Sequence, residues 1–154
     1  MVKLIIDSNE KEEIASTILN NLPEWFGLPD STEKYINDSK SMTFWAFIKE
    51  KPMGFIVLNE TSDSTAEIYV MGVLNEAHNK GIGTELWNSF LKYAKKEGYE
   101  YIQVKTVQRG YYKEYDIIND FYKHLGFKEL EVFPNMWDKW NPCQIYIKYI
   151  GNLE

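Results

Sequence analysis

Apolar positions along the chain change their period several times, and each change marks an element. Ile14, Ile18 and Leu22 recur at helical spacing from about Glu10 to Leu22, where Pro23 ends the run. Ahead of them, Val2 to Ile6 reads as an edge strand. Leu22-Pro23-Glu24-Trp25-Phe26-Gly27-Leu28-Pro29 is a turn-rich aromatic connection, and Asp30 or Ser31 can cap a second short helix through about Asp38. Aromatic and branched residues then dominate Thr43 to Lys49 and Met53 to Asn59, separated by Glu50-Lys51-Pro52 as a hairpin connection. A turn at Thr61-Ser62-Asp63-Ser64 leads to a strand from near Thr65, which completes an antiparallel meander of three strands.

Helical spacing returns with Ile82, Leu86, Phe90, Leu91 and Ala94 until Gly98 stops it. Tyr101 to Val107 follows as a strand. This strand–helix–strand order predicts a parallel pair joined by a right-handed crossover. A further helix is expected from Tyr115 to Leu125, ending at Gly126, and two last strands near Phe127 to Phe133 and Cys143 to Ile150, with Trp137 and Trp140 in the loop between them. The pattern predicts an α/β (α+β) fold with a mixed sheet of about seven strands.

Composition narrows the picture. The 154 residues fit one domain, 1–154, and no repeat, low-complexity tract or Pro/Gly/Ser-rich linker divides them. The 16% aromatic share suggests a lined cleft as well as a core. A net charge of −6 argues against general nucleic-acid binding, which needs a basic surface, and is compatible with a cationic small substrate. Cys143 is the single cysteine, so no intramolecular disulfide forms. The apolar run at Met1 to Asp7 is too short for a signal peptide, and no segment approaches the ~18 uninterrupted apolar residues of a membrane span. A cytoplasmic protein without membrane partners is expected. His78 and His124 have no neighbouring ligand spacing, so no metal site is expected.

The chemistry gathers around Glu67-Ile68-Tyr69-Val70-Met71-Gly72-Val73 and the turn Gly81-Ile82-Gly83-Thr84 that opens the following helix. The first amides of a helix lack intrahelical acceptors and the dipole there is positive, so the turn can hold a phosphate without a charged side chain. Gly72, inside an apolar strand, marks a bulge or a close backbone approach. A bulge would splay the next strand away and expose backbone groups to an extended amide ligand, which would pair as a surrogate strand. A phosphate at the helix mouth and an amide chain beside the strand describe the two halves of coenzyme A.

With these features the chain resembles the GNAT superfamily of acetyl-CoA-dependent N-acetyltransferases. The family's pyrophosphate pattern, Gln/Arg-x-x-Gly-x-Gly/Ala, aligns with His78-Asn79-Lys80-Gly81-Ile82-Gly83, and His78 departs from its first position. A second family signature is matched by Asn119-Asp120-Phe121-Tyr122-Lys123-His124-Leu125-Gly126-Phe127. The likeness covers roughly residues 40 to 133 and implies the GNAT fold, splayed at its central parallel pair and flanked by about four helices, with acetyl-CoA as cosubstrate.

The resemblance also implies roles. Residues 78 to 84, from His78 through Thr84, would bind the pyrophosphate. Tyr122 would protonate the departing thiolate, as a phenol of reference pKa ~10 can at neutral pH, and Asn119 would hydrogen-bond the cofactor. The Met71 amide would meet the oxyanion of the tetrahedral intermediate, and Val73 would offer backbone groups to the pantetheine arm. Glu67 stands where some relatives place a general base, sharing a strand face with Tyr69 and Met71; a solvated strand-end carboxylate is the other reading. Tyr111 and Tyr112 sit in a loop that commonly lines the acceptor site, unless that loop is an exposed connection. Trp25 and Phe26 either wall the acceptor pocket or staple two helices. The expected reaction is direct transfer of acetyl to a primary amine of a small molecule or peptide, and the resemblance adds a homodimer as the assembly common in the family. A non-catalytic acyl-CoA sensor is the alternative.

Overall fold

In a computed structural model, residues 1–22, 29–138 and 140–151 are described, and the side chains of 29 and 30 are not. They divide into two compact units: Met1–Asn59 with Ile68–Glu97, and Glu60–Glu67 with Gly98–Glu154. Among the described residues seven strands form one sheet in the order β1-β2-β3-β4-β5-β7-β6, antiparallel but for one parallel pair, with four α-helices.

In the first unit, side-chain caps set element boundaries that apolar spacing does not reveal. After β1 (Val2–Ile5), the Asp7 carboxylate accepts the Glu10 amide at 2.9 Å, and α1 (Ser8–Asn20) begins two residues before the expected Glu10. The second helix, α2 (Pro29–Ser39), starts at a proline, whose fixed φ and missing N–H suit a first helical position. Asp30 and Ser31 therefore lie within its first turn, which corrects the expectation that one of them precedes it as a cap.

Strands β2 (Thr43–Lys49) and β3 (Lys51–Glu60) are joined through Glu50 alone, at φ 68°. The expected three-residue connection shrinks because Lys51 and Pro52 pair with Lys49 and Ile48, beside a register shift that accommodates the proline's missing donor. Paired residues share a face, which separates the two sides of this hairpin. Phe44 stacks on Phe55 on one side, while Trp45, on the other, meets Phe90 and Tyr93 of α3 (Ile82–Lys96). The hairpin is thus buried on both faces.

Gly72, in β4 (Thr65–Val73), explains one of these faces. A Cβ there would stand 3.2 Å from Phe55, 3.3 Å from Ile18 and 3.4 Å from Leu22, so glycine lets α1 side chains seat close against the strand. The close approach expected at this glycine is thus observed.

The second unit contains β5 (Tyr101–Val107), α4 (Lys113–His124), β6 (Lys128–Asp138) and β7 (Asn141–Tyr149). β7 pairs antiparallel with both β5 and β6. Trp137 belongs to β6, and only Trp140 stands in the turn, a correction to the long loop expected around both. The reason is local: the Asp138 carboxylate accepts the amides of Trp140 at 2.8 Å and Asn141 at 3.0 Å, closing the hairpin late. Among the described residues no helix is long and apolar enough to cross a membrane.

Candidate active site

In the first unit, the segment from Met71 to Thr84 runs from the end of β4 into the start of α3. Burial alternates along β4: Val70 and Gly72 are buried, Tyr69, Met71 and Val73 half-buried. Leu74 donates its amide to Met53 O at 2.9 Å, and a single 3-10 turn, Asn75–Ala77, carries the chain off the sheet. Lys51 holds that turn through Glu76 at 2.9 Å.

His78, the residue that departs from the family pattern, has a defined partner. Its Nε2 lies 2.8 Å from Val73 O, and since a carbonyl can only accept, Nε2 carries the hydrogen. The imidazole pins the loop to the end of β4. Asn79 and Gly81 then adopt left-handed conformations, φ 63° and 78°, with Lys80 between them. Gly81 caps α3 with no side-chain hydrogen bond, and the first intrahelical bond runs from Glu85 N to Gly81 O at 3.1 Å. The amides of Ile82, Gly83 and Thr84 therefore precede the helical ladder. A Cβ on Gly81 would meet nothing within 4 Å, so the space before the helix is open.

In the second unit, α4 turns Asn119 and Tyr122 inward, one turn apart. Asn119 is fully buried. Its Nδ2 donates to Val107 O at 3.0 Å and Tyr115 O at 2.6 Å, and its Oδ1 accepts from the Tyr146 hydroxyl. With both amide hydrogens and the carbonyl engaged, Asn119 joins α4 to β5 and β7.

Tyr122 is buried against Phe127 and Tyr146, at ring-centroid distances of 5.7 Å and 6.1 Å. Burial first, and Tyr115 second, push its phenol well above the ordinary range, so it stays protonated.

Glu67 is buried and not a solvated strand end. Its Oε2 receives the Lys105 ammonium at 3.1 Å, with the glutamate side chain 8% and the lysine 35% exposed. The partner ammonium offsets the cost of holding a carboxylate away from water. Lys105 was not recognisable beforehand, because cross-strand partners depend on register.

Tyr111 and Tyr112 are exposed, but their loop is braced. Arg109 forms an ion pair with Asp120, and Gly110 donates its amide to Asp116 Oδ1 at 2.7 Å. Trp25 and Phe26 lie outside the described residues. Among the described residues no group of three or more His, Cys, Asp or Glu side chains is placed to hold a metal.

The chain belongs to the acetyltransferase (GNAT) family, whose model it matches over residues 11–127. It is 34% identical over 93 residues to an uncharacterised N-acetyltransferase of Methanocaldococcus jannaschii, an alignment covering 55% of this chain and 38% of that protein. This chain thus matches well under half the length of that relative. Its fold is similar to that of an aminoglycoside 6'-N-acetyltransferase solved in complex with coenzyme A, at TM-score 0.78 and 18% identity, covering 100% of this chain and 99% of the other. The ribosomal-protein-S18-alanine N-acetyltransferase of Escherichia coli is similar at TM-score 0.77 and 14% identity, over 100% of this chain and 97% of the other.

Proposed function

We propose that this chain is an acetyl-CoA-dependent N-acetyltransferase that moves the acetyl group directly from the thioester to a primary amine. The observation that carries the reading is the uncapped start of α3 behind the left-handed pair Asn79 and Gly81, at the end of β4, in a chain of this family. Open amides at a positive helix end suit the pyrophosphate of coenzyme A. The relative solved with coenzyme A supports the same ligand.

Each residue then has a step. The Met71 amide donates to the carbonyl oxygen as it gains charge, and backbone groups at Val73 hold the pantetheine arm. The neutral amine nitrogen forms the new C–N bond, the C–S bond breaks, and the Tyr122 hydroxyl supplies the proton to the departing sulfur. Glu67, paired with Lys105, receives the proton lost from nitrogen, directly or through water. Asn119 acts as a positioning residue that fixes α4, and through it Tyr122, on β5 and β7. The exposed pair Tyr111 and Tyr112 faces the acceptor. A cytoplasmic setting and a single domain complete the reading.

The test is release of free coenzyme A thiol from acetyl-CoA across a panel of amines. Tyr122→Phe should keep acetyl-CoA binding and lose roughly 10²-fold or more in kcat, the scale of a general acid. Binding without thiol release from any amine would instead identify a non-catalytic acyl-CoA module.

A further inference from the structure

Tyr69, Met71 and Val73 are half-buried at alternate positions of β4, the first two about 7 Å apart along the strand. Met71 carries the amide assigned to the oxyanion, so the Tyr69 backbone stands one strand repeat from that amide. Its hydroxyl donates to Oδ2 of Asp38 on α2. Tyr35, on the same helix, meets the Tyr69 ring edge-on at a centroid distance of 5.4 Å. The same Oδ2 also accepts the Lys34 ammonium at 2.8 Å, and the Asp38 side chain is 36% exposed, within reach of solvent.

Helix chemistry does not account for this carboxylate. Asp38 sits in the last turn of α2, where the dipole disfavours an anion, and that turn contains no basic residue. Lys34 precedes it at i,i+4, the less favourable order for a helix ion pair. Local rules broken in a structured element are expected where function needs the residue.

We infer that Asp38, framed by Tyr35 and Tyr69, is the cation anchor of the acceptor site, so the chain selects amines that carry a second positive charge. This rests on the transferase reading. Lys34 is the resident ammonium that such an acceptor displaces: its head is chemically an alkylammonium, its side chain is 72% exposed, and exposed pairs of this kind are weak. The two tyrosine rings add attraction for a cation. In a diamine, one nitrogen loses its proton and attacks the thioester while the other stays protonated on Asp38. The net charge of −6 draws such molecules in.

The experiment compares kcat/KM by thiol release for n-butylamine, 1,4-diaminobutane and a polycationic aminosugar, in the unmodified chain, Asp38→Asn, Lys34→Met and Tyr69→Phe. The unmodified chain should prefer the two polycations over butylamine. Asp38→Asn should cut that preference about tenfold or more, the effect of losing one charge-assisted contact. Lys34→Met should lower KM for the polycations, a change that a purely structural brace between α2 and β4 would not produce. If Asp38→Asn fails to fold, Lys34→Met, expected to lower that KM, and Tyr69→Phe, expected to raise it by removing the hydroxyl that orients Asp38, still decide the matter. Turnover with no charge preference, or a preference unmoved by Asp38→Asn and Lys34→Met, would overturn this inference alone. Absence of thiol release with every amine would remove the transferase reading and this inference together.

Discussion

Asn119 bridges three neighbours with one amide, and its removal should cost more than most substitutions in this chain. Asn119→Ala leaves the Val107 carbonyl and the Tyr146 hydroxyl without their partner in a buried setting, at a cost of roughly 2–4 kcal/mol. Urea unfolding would show the loss as a lower midpoint. Tyr146 and Cys143, both buried on β7, are pushed up by desolvation to about 12 and about 11. Their charged forms are favoured in the unfolded chain, which then binds fewer protons than the folded one, so stability falls as pH rises. It should hold steady to about pH 8 and decline above, as unfolded cysteine and then tyrosine ionise. Thiol labelling at pH 8 should report the same burial: Cys143 reacts only as the chain unfolds. The identities of Tyr122 and Glu67 were legible because each lies within a recognisable run. Their environments were not, since the Lys105 ion pair of Glu67 and the Tyr146 ring against Tyr122 come from strand register.

At the scale of elements, the turn before α3 is the most exposed to a single change. Gly81→Ala meets no steric obstacle but forces a side chain onto a left-handed backbone, at about 1–2 kcal/mol. The prediction is a modest fall in Tm with a larger rise in the KM for acetyl-CoA, because the strain relaxes by moving the amides proposed to hold the pyrophosphate. An unchanged KM would separate that turn from the cofactor. Most elements here were readable from apolar period: the meander, α3 and β5 all lie where spacing puts them. Boundaries shifted where one polar side chain acted at a distance of two or three residues, as Asp7 does for α1 and Asp138 for the last hairpin. Periodicity averages over several residues and does not register such bonds.

For the whole molecule, family membership and the seven-stranded sheet set the framework, and the acceptor is what the framework leaves to chain-specific residues. The signatures at residues 78–84 and 119–127 were visible in the sequence because they are contiguous. The group of Tyr35, Asp38 and Tyr69 was not, because it joins a helix and a strand about thirty residues apart. An acidic chain with such a carboxylate should lose affinity for polyamine acceptors as salt rises, while the KM for a monoamine responds less. The central claim concerns chemistry rather than binding, and one measurement meets it directly. Acetyl-CoA is mixed with an amine panel, and free thiol and acetylated amine are counted for the unmodified chain and for Tyr122→Phe. The account predicts one thiol for each acetylated amine, with turnover lost and acetyl-CoA binding kept in Tyr122→Phe. Equal turnover in the two proteins, or cofactor binding with no thiol released by any amine, would contradict it.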